Sequence, residues 1–319
     1  MIVSIIIPIY NVENYILECL QSVANQTMTD GVECILIDDK GTDRSILLAT
    51  NFIREYHGSI KFTLVQHPVN KGLSASRNTG IHASKGEYVY FLDSDDTITP
   101  DCIELMYSYI LKYGNVDLVL GSFYESIEEK KCLSNYSLAE YSDDPRIIKS
   151  FLLKYQGDII PAQSKLIKRQ LIESRSLYFK EGIIHEDNYW TFFLAKYVTT
   201  MCFCNKRTYY HRNNPNSITK KINLAKECFA FRTIICDLCP SIDPFLVGCQ
   251  KEYILDNLLT ALDNGYYESE LDKNRLIKYF KDQSNVIESV LLSICLAIKL
   301  SYWRTKAFHL LIRIFKFNN

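Results

Sequence analysis

No G-x-G-x-x-G follows the first apolar run of this 319-residue chain, and no G-K-[ST] loop is present. Those two absences count against a dinucleotide-dependent dehydrogenase and a P-loop NTPase. Charge of one sign is missing too. The net charge is −1, so no global field recruits nucleic acid, and no nucleic-acid partner is expected. No apolar stretch approaches the ~20 residues that cross a bilayer. Met1 leads straight into Ile2-Val3-Ser4-Ile5 without the basic segment of a secretory leader. Of eleven cysteines, only Cys202-x-Cys204 and Cys236-x-x-Cys239 lie close together, and no second C-x-x-C completes a zinc site. The expectation is a cytoplasmic protein with reduced, mostly buried thiols.

What is present is a chain 47% hydrophobic, enough for one large domain and a smaller one. β-Branched residues run unbroken through 3–9, the mark of a strand buried on both faces. Similar runs at 33–37, 61–66, 88–92 and 116–120 alternate with helical spacing at 13–26, 43–56, 74–84 and 100–113. Strands alternating with helices predict an α/β fold with a mostly parallel sheet flanked by helices and right-handed crossovers. Ligands of such sheets bind beyond the carboxyl ends of the strands. The polar clusters fall at those ends: Tyr10-Asn11, Asp38-Asp39, Asn70-Lys71 and Asp93-Ser94-Asp95-Asp96.

The last cluster is the most informative. Three carboxylates in four residues just past a buried strand repel one another unless they are solvated or hold a cation. Oxygen ligands favour Mg²⁺ or Mn²⁺, shared with substrate phosphates. The plainer alternative is an acidic turn before the helix near Pro100-Asp101. An EF-hand is excluded, because Ile98 stands where that loop needs glycine and a strand precedes it. A nucleotide held by carboxylates at its base and by a metal at its diphosphate fits the four clusters.

Four motifs, in order, carry a resemblance: Ser4-Ile5-Ile6-Ile7-Pro8-Ile9-Tyr10-Asn11, Asp38-Asp39-x-Gly41-Thr42-Asp43-x-Ser45, Asn70-x-Gly72-Leu73-Ser74-x-Ser76-Arg77-Asn78-x-Gly80 and Phe91-Leu92-Asp93-Ser94-Asp95-Asp96. Together they are similar to family 2 glycosyltransferases of the GT-A fold. Lys40 departs from the pattern, standing where the family usually has Gly or Asn. The resemblance implies that Pro8 and Tyr10 line the nucleotide base and that Asp39 accepts the N3–H of a uracil, a carboxylate being acceptor-only. It implies that Lys71 and Arg77 steady the donor's diphosphate, although Arg77 reads equally well as an ion pair between sheet and helix. Asp93 would face the donor, Asp95 and Asp93 would ligate the metal, and Asp96 is left to hold the geometry around them.

Further on, Glu186-Asp187 opens the aromatic segment Tyr189-Trp190-Thr191-Phe192-Phe193. Acids at a helix N-terminus are favoured by the dipole alone. They also resemble the family's catalytic pair, which would make Asp187 the general base, with Glu186 as the alternative base or an acceptor contact. Trp190 reads as core packing or as a stacking platform for an acceptor sugar. Arg207 to Arg212 and Asn216-Ser217-Ile218-Thr219 resemble the family's closing segment over the diphosphate, with Arg212 on phosphate and His211 on metal or phosphate.

The resulting expectation is a GT-A domain over 1–222 and a helical region over 223–319, with helices at 229–239, 245–264 and 285–300. A basic amphipathic helix at 306–317, with Lys306, His309, Arg313 and Lys316 on one face, would rest peripherally on the inner face of the cytoplasmic membrane or else pack on the protein or a partner. The expected activity is inverting transfer from a UDP-sugar to a glycan or lipid-linked acceptor, aided by Mn²⁺ or Mg²⁺. The alternatives are a catalytically silent sugar-nucleotide-binding module and a sugar-phosphate nucleotidyltransferase. The latter would want a basic, glycine-rich loop where Pro8-Ile9-Tyr10-Asn11 stands.

Overall fold

The computed structural model describes residues 1–125, 139–154, 161–212, 214–215, 223–242 and 247–282. β1 (Val3–Ile9) is buried at every position. Its aliphatic side chains each contribute about 1.5–3 kcal/mol on burial. It pairs in parallel with β2 (Val32–Asp38) and β4 (Tyr88–Phe91), and β2 pairs in parallel with β3 (Lys61–Gln66). Pro8 fits inside this central strand for a geometric reason. Ile6 turns its carbonyl toward β4, where it accepts from Leu92 N–H, and Pro8 lies two residues on, facing the same way. The β1–β4 ladder ends at Ile6 and Phe91, so the N–H that Pro8 lacks has no ladder partner to lose.

The two faces of β1 pack differently. Val3, Ile5, Ile7 and Ile9 meet Ile16, Leu20 and Val23 of α1 (Ile16–Ala24), Ala49 of α2 (Ser45–Glu55), and Ile103 and Met106 of α4 (Cys102–Tyr113). Ile16, Cys19, Leu20 and Val23 recur at helical spacing, which is why this segment winds into a helix with one buried stripe. The opposite face takes α3 (Leu73–Ala83) so closely that a Cβ on Gly80 would come within 2.2 Å of Ile6 Cγ2.

Beyond β4 the sheet is no longer parallel. β5 (Thr97–Ile98), β6 (Leu118–Glu125), β7 (Tyr141–Ser142), β8 (Lys165–Lys168) and β9 (Met201–His211) complete the order β3-β2-β1-β4-β8-β6-β9-β5, with β7 on β9. β8 enters antiparallel between β4 and β6, whereas β6 and β9 are parallel. α5 (Pro145–Lys154), α6 (Arg169–Arg175) and α7 (Glu186–Tyr197) flank this half. Trp190 of α7 is buried, donates its indole N–H to Leu177 O at 2.9 Å and stacks on Phe179 at 4.6 Å. It is a core residue, and the sugar-platform reading falls.

Chain contacts divide the protein into one unit of Met1–Gly182 with Glu186–Lys220 and another of Ile183–His185 with Lys221–Asn319. The second contains α8 (Leu224–Leu238), α9 (Val247–Asp263) and α10 (Glu270–Asp282). Within it, His185 Nε2 lies 2.8 Å from Glu227 Oε2 and its ring 5.1 Å from that of Phe231. The expected helices at 285–300 and 306–317 and the segment 216–219 lie outside the described residues. Among the described residues, the cysteines are free and no helix is long and apolar enough to cross a membrane.

Candidate active site

The ends of β1, β2 and β3 and the start of α3 build a recess around Asp39. Asn11 at the end of β1 takes a left-handed φ of 53°, and its Oδ1 accepts from Thr42 N at 2.7 Å. Gly41 touches it from the β2 side, where a Cβ would come 2.8 Å from Asn11 Oδ1. Lys40 also adopts a left-handed φ, 56°. That accounts for the glycine or asparagine usual at this position, since neither resists that conformation as other residues do. Asp38 secures the turn by accepting from Lys40 N at 2.8 Å.

Asp39 itself is buried. Its Oδ1 accepts from Lys71 N at 2.8 Å and lies 2.8 Å from His67 Nδ1, while its Oδ2 accepts from Gly72 N at 2.9 Å. Gly72 reaches that bond with φ 87°, a conformation other residues avoid. Tyr10, the residue after β1, is 45% exposed, and Lys71 is exposed. Pro8 is buried in β1.

Asp93, Asp95 and Asp96 follow β4 and have three different surroundings. Asp96 is structural: its Oδ2 accepts from Tyr209 Oη at 2.7 Å and its Oδ1 from Arg212 N at 2.7 Å. Tyr209 Oη in turn accepts from Asp93 N at 3.2 Å, so β9 fixes the acidic turn. Asp95 Oδ2 accepts from Asn214 at 2.8 Å, and burial pushes its carboxyl above the usual range. Asp93 bonds Arg77 through Oδ1 at 3.1 Å and Gln163 through Oδ2. Burial raises its carboxyl to about 6, despite the guanidinium.

Arg77 ties this turn to α7. Its Nη1 donates to Glu186 Oε1 at 2.7 Å and to Asp187 Oδ1 at 3.0 Å, while Nη2 reaches Asp93. The guanidinium is fully buried and lies 5.1 Å over the Phe179 ring. Burial opposes its charge, but Asp187, Asp93 and Glu186 hold it firmly protonated. Of the two readings of Arg77, the ion pair is the one the structure takes. The expected diphosphate contact is corrected, because the group has no exposed face to offer.

The segment leading into β8, in which the sequence singled out no site residue, closes the cluster. Ala162 N–H bonds the Asp187 carboxylate, Gln163 Nε2 bonds Asp93, and the fully buried Lys165 donates Nζ to Pro161 O close to Asp187. Burial lowers the Lys165 ammonium and raises the Asp187 carboxyl; each also holds the other toward its charged form. The signal for Lys165 was a lone cation heading the apolar run Leu166-Ile167. Gln163 carried none. Arg212, expected on phosphate, has its guanidinium on Glu18 and 5.3 Å over the Tyr15 ring. His211 is 64% exposed in its side chain, with Nδ1 3.3 Å from Asp96, whose hydrogen bond raises its basicity.

The sequence over residues 4–175, more than half the chain, matches the family model described as glycosyl transferase family 2. This chain belongs to that family. Among curated relatives of this glycosyltransferase-family chain is glycosyltransferase GlyA of Streptococcus pneumoniae serotype 4, 32% identical over 232 residues. That alignment covers 68% of this chain but 31% of GlyA, so the chain spans under a third of that relative's length. Poly(ribitol-phosphate) beta-N-acetylglucosaminyltransferase TarP of Staphylococcus aureus is 40% identical over 123 residues, 38% of this chain and 36% of TarP. Among solved structures, S. aureus TarS residues 1–349 in complex with UDP-GlcNAc superposes with a TM-score of 0.68 at 18% identity, covering 99% of this chain and 92% of that one. That likeness establishes a shared GT-A fold.

The fold family implies a divalent cation, and the side chains can be tested for it. Asp93, expected as a ligand, bonds Arg77 through one oxygen and Gln163 through the other, which leaves one lone-pair site on each. Asp95 is a half-buried carboxylate bonded by the neutral Asn214 amide, and a cation would offset the charge that burial disfavours. His211 keeps Nε2 as a second donor. Among the described residues no three His, Cys, Asp or Glu gather into a protein-only cage. One or two protein ligands suit Mg²⁺ or Mn²⁺ that takes its other oxygens from phosphate and water, so the residues fit the ion.

Proposed function

We propose that this protein is an inverting glycosyltransferase that moves a sugar from a UDP-sugar to a hydroxyl of a glycan or lipid-linked acceptor. The observation that carries the reading is the single guanidinium of Arg77. It bonds Asp93 at the end of β4 and the Glu186-Asp187 pair at the start of α7, across 110 residues of sequence from Arg77 to Asp187. A donor-facing carboxylate and a base are thereby held in one register, beyond the carboxyl ends of the parallel strands. TarS binds UDP-GlcNAc in its solved complex, and TarP is named for a poly(ribitol-phosphate) acceptor. Both favour a uridine donor and a polyhydroxyl acceptor.

Asp187 takes the proton of the acceptor hydroxyl. The hydroxyl oxygen forms a bond to the anomeric carbon from the face opposite the diphosphate. The bond from that carbon to the diphosphate oxygen breaks, its electron pair leaves with UDP, and an α-linked donor becomes a β-linked product. A cation held by Asp95 and His211, when bound, offsets charge on the leaving diphosphate. Burial lifts the Asp187 carboxyl toward working pH, which strengthens it as a base, while Arg77 keeps it ionised. Glu186 is taken up by Arg77 at 2.7 Å and orients the pair.

The test is UDP release by the full chain from a panel of UDP-sugars with Mn²⁺, with and without glycan acceptors. Asp187→Asn should lower kcat about 10²–10⁴-fold, with UDP binding intact. Turnover by Asp187→Asn equal to that of the unsubstituted protein removes Asp187 as the base. UDP binding without transfer to any acceptor favours the silent binding module.

A further inference from the structure

His67 follows the last residue of β3 and precedes Pro68. It is 4% exposed, yet both ring nitrogens are bonded to side chains. Nδ1 lies 2.8 Å from Asp39 Oδ1, and Nε2 lies 2.9 Å from Thr79 Oγ1 on α3. A carboxylate only accepts, so Nδ1 carries the hydrogen toward Asp39. In the neutral ring, Nε2 accepts from the Thr79 hydroxyl. The imidazole is thus clamped between a helix and a carboxylate.

The acceptor count on Asp39 gives this clamp a consequence. A carboxylate has about four lone-pair sites. On Oδ1, His67 Nδ1 and Lys71 N occupy both; on Oδ2, Gly72 N occupies one. One site is left, on Oδ2. A uracil presents a single N–H on the edge between its two carbonyls. A guanine presents two adjacent donors, which a carboxylate takes fully only with a free site on each oxygen. With Oδ1 filled, Asp39 satisfies the uracil edge and leaves one guanine donor unpaired, a loss that discriminates strongly in a buried site.

We infer that His67, backed by Thr79, is a positioning residue that selects the nucleobase: by filling Oδ1 of Asp39 it restricts the donor to uridine rather than guanosine diphosphate sugars. This rests on the proposed donor site. Calorimetric affinities of the full chain for UDP and GDP test it, beside kcat at saturating donor and a melting curve. The unsubstituted protein should prefer UDP. His67→Ala should cut the ratio of the two affinities about tenfold or more. His67→Asn, whose carboxamide N–H replaces Nδ1–H, should restore most of the ratio. Thr79→Val should lower it about threefold, and it carries the test if His67→Ala does not fold.

A ratio unchanged in folded His67→Ala overturns the inference alone. So does an equal loss for both nucleotides, which is what a purely structural role gives. An unsubstituted protein that binds neither UDP nor GDP overturns the donor reading and, with it, this inference.

Discussion

Asp39 is a buried carboxylate at a strand end and Asp187 a half-buried one at a helix start, and they are held by opposite means. Asp39 is met by two main-chain N–H groups and an imidazole N–H, each with its own geometry. Asp187 shares one guanidinium with Asp93 and Glu186, and beside it lies the buried ammonium of Lys165. Such donors give direction, which suits recognition. A crowded group of acids around too few cations is rigid but electrostatically strained, and it titrates near working pH, which suits proton transfer.

The hardest blow to the strained side is loss of its shared cation. Arg77→Met should destabilise the fold by about 3–5 kcal/mol, the usual result of leaving buried charges unpaired. Urea denaturation at pH 7.5 measures it. A loss below about 1 kcal/mol would mean that the acids are solvated, as on an ordinary surface.

Relieving the strain should have the opposite sign. The folded state holds the Asp93 proton at about 6, against an ordinary value of 3.8. The group therefore favours folding fully below pH 3.8, and that contribution is lost as pH rises through about 6, on the order of 3 kcal/mol in all. Asp93→Asn should therefore gain about 1–3 kcal/mol at pH 7.5, gain nothing near pH 3.5, and lose transfer activity. Melting curves of both proteins across that range check it.

The recognition side offers the smallest effect. Lys40→Asn should relieve the left-handed backbone at φ 56° and stabilise by up to about 1 kcal/mol, with KM for the donor unchanged. A fall in melting temperature would show that the Lys40 side chain supports Asp38 more than its exposure suggests.

The same contrast separates what could be read from the sequence from what could not. β1 to β4 with their helices were legible because each element carries its own period and each strand ends in a polar cluster. The recess around Asp39 is assembled from those clusters, within a few residues of each strand end. The strained cluster is not local. Arg77 had two equal readings until α7, over a hundred residues away, supplied its carboxylates. β8, four residues long, gave no hint of its antiparallel direction between β4 and β6. α10 escaped because Leu276 and Phe280 are the apolar residues it buries, although Ser269, whose Oγ accepts from Asp272 N at 3.2 Å, marks its start.

The pH dependence of kcat/KM for UDP-sugar transfer tests the central claim, that charge crowding around Arg77 tunes Asp187. The base must be ionised to act, so activity rises with pH through its pKa. The account predicts an acidic limb well above the ordinary carboxylate range, moving higher still in Lys165→Met, which removes a cation that favours ionised Asp187. A limb near 4 that Lys165→Met leaves in place would contradict it.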